Sequence, residues 1–162
     1  MTNAQGYKVA DSIAVDDEGY CKAVLNVVEY DSFTDDETGE IKDQILFIWD
    51  TTTRKGKETK IRFWTPMTIN PTAKKVKGKT TYNALTQLLL IHQIITVEDL
   101  KKLAADENYL DQMEIDLDSL IGQNHKFKLN YNDRGLGKPD ISTLKVMKEL
   151  KLGKAAADDL AE

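Results

Sequence analysis

The sequence predicts a mainly β domain: a five-stranded Greek-key barrel with helices inserted between its third and fourth strands. Three observations predict it. Segments of strand character, alternating or β-branched, recur up to Thr65. An apolar stripe at helical spacing follows, from Tyr82 to Ile95. Alternation then returns from His125 to Tyr131, and a closing strand is expected over Asp140 to Met147.

In chain order, Met1 to Gln5 reads as a loose end and Gly6 to Val15 as a weakly alternating N-terminal strand. Asp16 to Gly19 is a turn. Tyr20 to Tyr30 then places Cys21, Ala23, Leu25 and Val27 on one face and Tyr20, Val24, Val28 and Tyr30 on the other. Both faces are largely apolar, as in a central strand or one curving through a barrel. Asp31 to Asp43 is an acidic loop with a turn signal at Glu37-Thr38-Gly39. Gln44 to Asp50 is β-branched and aromatic, a core strand. A turn over Arg54 to Lys57 leads into the alternating strand Glu58 to Thr65, so the two form a hairpin.

Pro66 and Pro71 break regular pairing, and Lys74 to Lys79 is expected to be a basic loop. In the helix from Tyr82 to Ile95, Leu85, Leu88, Leu89 and His92 share a face, with His92 read as a packed residue at the edge of the core. Thr96 with Asp99 marks an N-cap for a second helix through Ala105, and Asp116 to Ile121 is a further helical turn stopped by Gly122. Asn132 to Pro139 is a polar connection; its Gly135-Leu136-Gly137 lacks the third glycine of a dinucleotide fingerprint. The chain divides into a folded domain, residues 1–150, and an acidic tail, 151–162.

Composition bounds the function. The 162 residues carry a formal net charge of -5. Cys21 is the only cysteine, so neither an intramolecular disulfide nor a cysteine zinc cluster can form within one chain. The first residues contain no apolar run, and the longest such run, Leu88 to Ile91, is too short to span a bilayer. A cytoplasmic protein without membrane contact is expected. The carboxylates of residues 31–43 do not follow the calcium-loop spacing, so a solvated hairpin loop is expected rather than a metal site. No nucleophile–base motif is present; His92 and His125 lie far apart in sequence and in different contexts. Binding without catalysis, cofactor or metal is the expectation.

Against the acidic background, Thr51 to Asn83 concentrates Arg54, Lys55, Lys57, Lys60, Arg62, Lys74, Lys75, Lys77 and Lys79, opposed by Glu58 alone. Like charges brought together weaken a fold, so such a block needs a reason, either a ligand or a merely solvated basic face. On the strand, Ile61 and Phe63 point one way and Lys60, Arg62 and Trp64 the other. Ammonium, guanidinium and indole on one face suit a polyanion with flat units, that is, single-stranded nucleic acid.

The element order is the plan of the oligonucleotide-binding (OB) fold, which binds ligands across its second and third strands. Here those are Gln44 to Asp50 and Glu58 to Thr65. With the segments KIRFWTPMTIN, TTYNALTQLLLIHQI and DLDSLIGQNHKFKLNY, the chain resembles bacteriophage single-stranded-DNA-binding proteins that carry this barrel. The resemblance covers roughly Tyr20 to Met147. It implies that Lys60, Arg62 and Trp64 meet DNA, with Lys126 and Lys128 on a nearby strand, and that the DNA is bound with little sequence specificity during replication or recombination in the host cytoplasm.

Tyr30, Phe33, Tyr82 and Tyr131 are further stacking candidates. An acidic tail would recruit replication or recombination proteins, although this one lacks the Pro-Phe tip of bacterial single-strand-binding proteins, and the acidic 31–43 loop departs from a phosphate clamp. A homodimer through an edge strand is compatible with the plan. The alternative reading is a protein-interaction adaptor or inhibitor on the same barrel, docking through its acidic loop and tail.

Overall fold

Alternation along three successive strands builds the inner wall of the barrel. In the structure, a computed structural model describing residues 11–76 and 79–147, β1 (Tyr20–Thr34) pairs antiparallel with β2 (Ile41–Thr52), and β2 with β3 (Glu58–Pro66). A small hairpin, β4 (Lys74–Val76) and β5 (Lys79–Thr81), precedes helices α1 (Ala84–Ile91) and α2 (Val97–Ala105). Then β6 (Asn124–Tyr131) pairs with the free edge of β1, and β7 (Gly137–Pro139) and β8 (Lys145–Val146) both pair with β6.

The resulting order is β3-β2-β1-β6-β7. Lys138 on β7 reaches back to β3, its Nζ donating to the Arg62 carbonyl at 2.9 Å. The five strands therefore form a nearly closed antiparallel barrel with both helices between the third and fourth barrel strands, the OB plan.

Cys21, Ala23, Leu25, Phe47, Trp49, Ile61 and Phe127 are buried inside, and Leu85, Leu88 and Leu89 of α1 pack onto the same core. Trp49 is its centre, with Phe127 and Phe47 ring centroids at 5.3 and 5.8 Å. One detail of the expected faces changes. The register of β1 against β2 shifts between Leu25 and Val27, so Asn26 is an extra residue, a β-bulge. Beyond it Val28, opposite Phe47, packs on the core, and Val27, opposite Ile48, turns to the outer face.

The hairpin turn between β2 and β3 places Gly56 at φ 84°, a conformation that glycine adopts without a Cβ penalty. Thr96 and Asp99 form a reciprocal capping box at α2, as their spacing predicts. The turn expected over Asp116 to Ile121 is the 3-10 turn Leu117–Leu120.

Four expectations are corrected. The helix ends at Ile91 rather than Ile95, because Gln93 takes a left-handed φ of 59° and the Ile94 amide donates back to Leu89. The basic stretch after Pro71 is a short hairpin rather than an open loop. The closing strand lies at Gly137–Pro139, inside the segment read as a connection. Asn132 Oδ1 accepts from the amides of Arg134 and Leu136, both at 2.9 Å, making a tight turn that starts β7 early. Residues 140–147 then form a 3-10 turn, Ile141–Thr143, capped by Asp140, and the two-residue β8. Finally, the two histidines share one context: His92 Nε2 and His125 Nε2 lie 2.7 Å apart.

Of the N-terminal strand, residues 11–15 contribute a single bridge, Ile13 to Thr53. Residues 1–10, Lys77 and the tail 151–162 lie outside the described residues. Among those described, no helix is long and apolar enough to cross a membrane, and no group of three metal-ligating side chains is assembled.

Candidate nucleic-acid interface

The outer face of β2 and β3 is set by the pleat. Because Ile61 and Thr65 are buried and Phe63 packs against the core, Lys60, Arg62 and Trp64 stand outward, each opposite one β2 residue: Asp50, Ile48 and Leu46. Trp64 is 45% exposed. Lys60 differs from the expectation of a free cation, since its Nζ pairs with Asp50 Oδ1 at 2.8 Å. Both groups are about half exposed, so the pair adds little stability, but it offsets the charge that a phosphate would meet.

Beside Trp64 the wall opens into a cleft of about 580 Å³ between β3, the 66–72 loop, the start of α1 and the 139–142 segment. Phe63, Trp64, Tyr82, Pro66, Pro139 and Ile141 supply its apolar lining, while Asn70, Asn83 and Asn130 bring amides to it. Asn83 organises the rim: its Oδ1 caps α1 by accepting from Thr86 N at 2.9 Å, and its Nδ2 donates to Thr68 O at 2.8 Å. Thr86 Oγ1 in turn accepts from the Asn70 amide at 3.0 Å. The Thr65 hydroxyl, buried in the cleft wall, has no hydrogen-bond partner among the described residues. Leaving a buried hydroxyl unpaired costs stability.

The twelve basic and aromatic residues singled out from the sequence fall into separate groups. Arg62 and Trp64 flank the cleft. Lys74, Lys75 and Lys79 belong to the β4–β5 hairpin, which leaves and re-enters the cleft rim between Thr72 and Tyr82. Arg54, Lys55 and Lys57 sit at the opposite end of β3, seven residues from Trp64 at Lys57, or roughly 23 Å along a strand. That turn is tied to Asp11, whose carboxylate accepts from Thr53 Oγ1 at 2.6 Å and from the Lys55 amide at 3.1 Å. The Thr53 hydroxyl first, with the Lys55 amide and the charges of Lys55 and Lys57, holds the Asp11 carboxyl below its usual range.

Lys126 and Lys128, on β6, surround Tyr20. Around the barrel β6 is divided from β3 by β1 and β2 on one side and by β7 on the other. Lys138, missed in the sequence because it lies in a Gly-rich segment, joins the site by its contact with β3.

Above Trp64 the charge reverses. Leu46 faces Glu29 on its other side, and β1 and β2 run on as an arm bearing Asp31, Asp35, Asp36, Glu37, Glu40 and Asp43. On that arm Tyr30 donates to Asp43 Oδ1 at 2.6 Å, which raises its phenol pKa, and Tyr30, Phe33 and Ile41 are exposed. A polyanion at Trp64 is therefore repelled by the arm and drawn toward Arg62 and Lys138. No protein-family model matches the chain, and no curated protein or solved structure matches it either.

Proposed function

We propose that the chain binds single-stranded DNA with little sequence specificity, as a protective protein of phage-type replication or recombination rather than as an enzyme. One observation carries the reading: on an OB-type barrel, the third strand holds Trp64 and Arg62 outward at the mouth of a cleft lined by Phe63 and Tyr82. Bases stack on Trp64 and enter the cleft; Arg62, Lys138 and the basic β4–β5 hairpin meet phosphates. Stacking accepts any base, and each stacked base is worth about 1–3 kcal/mol. Neutralising phosphates releases counterions, so affinity falls as salt rises.

The test is titration with a labelled thirty-nucleotide oligo(dT) at low and high salt, following anisotropy and tryptophan fluorescence. Trp49 is fully buried, so quenching reports Trp64. Tight, salt-sensitive binding with quenching is expected; little binding at low salt overturns the proposal. The exposed Tyr30, Phe33 and Ile41 on the acidic arm favour a second reading, an adaptor or inhibitor that docks on a basic protein. That reading predicts a defined hetero-complex and weak binding to DNA.

A further inference from the structure

We infer that the outer face around Tyr20 is a second phosphate-binding patch, which takes the backbone of the same single strand after it leaves Trp64. This rests on the reading just given. Tyr20 and Lys22 point outward, because Cys21 and Ala23 between and after them are buried. Lys22 stands directly opposite Lys126 on β6, and Lys126 directly opposite Lys145 on β8. Three lysines thus form one row across three neighbouring strands, about 10 Å wide at ordinary strand spacing. Lys128 sits in the next row, opposite Tyr20.

The ammonium groups of Lys126, Lys145 and Lys128 lie 5.0, 5.2 and 5.4 Å from the Tyr20 ring centroid. Like charges directly opposed across a ladder destabilise a sheet. Neither of the ion pairs among the described residues, Lys42–Asp35 and Lys60–Asp50, involves this row. Asp16 is near enough for Lys22 and Lys126 to help keep its carboxyl pKa low, but its Oδ1 already accepts from the amides of Tyr20 and Glu18. One carboxylate does not neutralise four lysines. A ring has two faces, so Tyr20 holds the cations near one another without cancelling their repulsion. A phosphodiester chain does cancel it, and the row is wide enough for more than one phosphate.

The register also links this patch to Trp64. Outward positions run from Arg62, Ile48 and Val27 to Lys60, Asp50, Val24 and Asn124, and then to Lys22, Lys126 and Lys145. A strand crossing the sheet diagonally from Trp64 passes over Ile48 and Val24 and arrives at Lys22.

The test compares wild type with K22Q/K126Q/K145Q, with W64A, and with K101Q/K102Q, two exposed lysines on α2. Removing one phosphate neutralisation makes the plot of log affinity against log salt shallower by about 0.7, so the triple variant is expected to be shallower by about 2 on thirty-nucleotide oligo(dT). It is expected to bind a six-nucleotide oligo(dT), which reaches only the cleft, as wild type does. Thermal melting checks that each variant is folded. If the triple variant keeps the wild-type slope while W64A weakens binding, the patch is refuted and the binding function stands. The patch is equally refuted if K101Q/K102Q flattens the slope as much per charge. Failure of wild type to bind either oligonucleotide refutes both.

Discussion

Trp49 and His125 are joined at the centre of the barrel: the indole Nε1–H donates to His125 Nδ1 at 3.0 Å. A neutral imidazole that accepts at Nδ1 carries its proton on Nε2. That proton is donated to His92 Nε2 at 2.7 Å, and His92 then carries its own on Nδ1. The chain Trp49–His125–His92 satisfies every ring nitrogen facing the core and fixes α1 against β6 and β2.

This arrangement requires both histidines neutral. Burial, and then the nearness of His92, pushes His125 from its ordinary 6.5 down to about 3, and burial lowers His92 as well. The unfolded chain takes up these protons near pH 6.5 and the folded one resists. The His125 contribution to stability is therefore full above about pH 6.5 and declines as pH falls toward 3, by up to about 1.4 kcal/mol per pH unit, and the lowered His92 adds to the decline below pH 6.5. Urea midpoints measured from pH 8 to pH 4 should fall below pH 6.5; a flat profile contradicts the tautomer chain. His125→Ala leaves the indole unpartnered and a cavity behind, a loss of about 2–5 kcal/mol in the same assay.

Trp64→Ala separates binding from folding. With the side chain nearly half exposed, thermal stability should change little, whereas oligo(dT) affinity should drop about 5- to 150-fold, the equivalent of one stacked base. Fluorescence quenching on binding should vanish, since Trp49 stays in the core.

The Lys60–Asp50 pair makes an unusual prediction. Asp50→Asn releases Lys60, so DNA affinity and its salt slope should both rise, with stability altered by less than about 1 kcal/mol. Arg62→Gln should weaken binding more than Lys60→Gln does, because Lys60 is already matched by a carboxylate. Anisotropy titrations at two salt concentrations decide the order.

Thr65→Val removes the buried hydroxyl that lacks a partner while keeping its volume. It should stabilise the barrel by about 1–3 kcal/mol in urea unfolding. Unchanged or lower stability would show that the hydroxyl is satisfied in solution.

Lys126→Gln relieves a lysine flanked by lysines on both neighbouring strands. It should raise stability by about 0.2–1 kcal/mol at low salt, and the gain should shrink as salt screens the repulsion. Differential melting of the two proteins at low and high salt measures it.

The sequence by itself determined the strands whose side chains alternate, the capped second helix and the outward face of Lys60, Arg62 and Trp64. These follow from period-2 and period-3.6 patterns, which are local and survive without knowledge of neighbours. It also carried the element order, hence the barrel plan. Beyond the β2–β3 hairpin, which its turn announces, tertiary structure decided what depends on pairing.

Residues far apart in the chain became one chain of hydrogen bonds at Trp49, His125 and His92, because β2, α1 and β6 converge on the core. Lys60 gave up its free charge to a residue ten positions away across a hairpin. Lys126 and Lys128 gather around Tyr20, because the register of β6 against β1 brings them to it. The closing strand moved into a glycine-rich segment because Asn132 builds a tight turn there, and side-chain capping of that kind leaves no hydrophobic period to read. Local patterning selects faces and elements; which faces meet is a matter of register and closure, and those are properties of the assembled sheet.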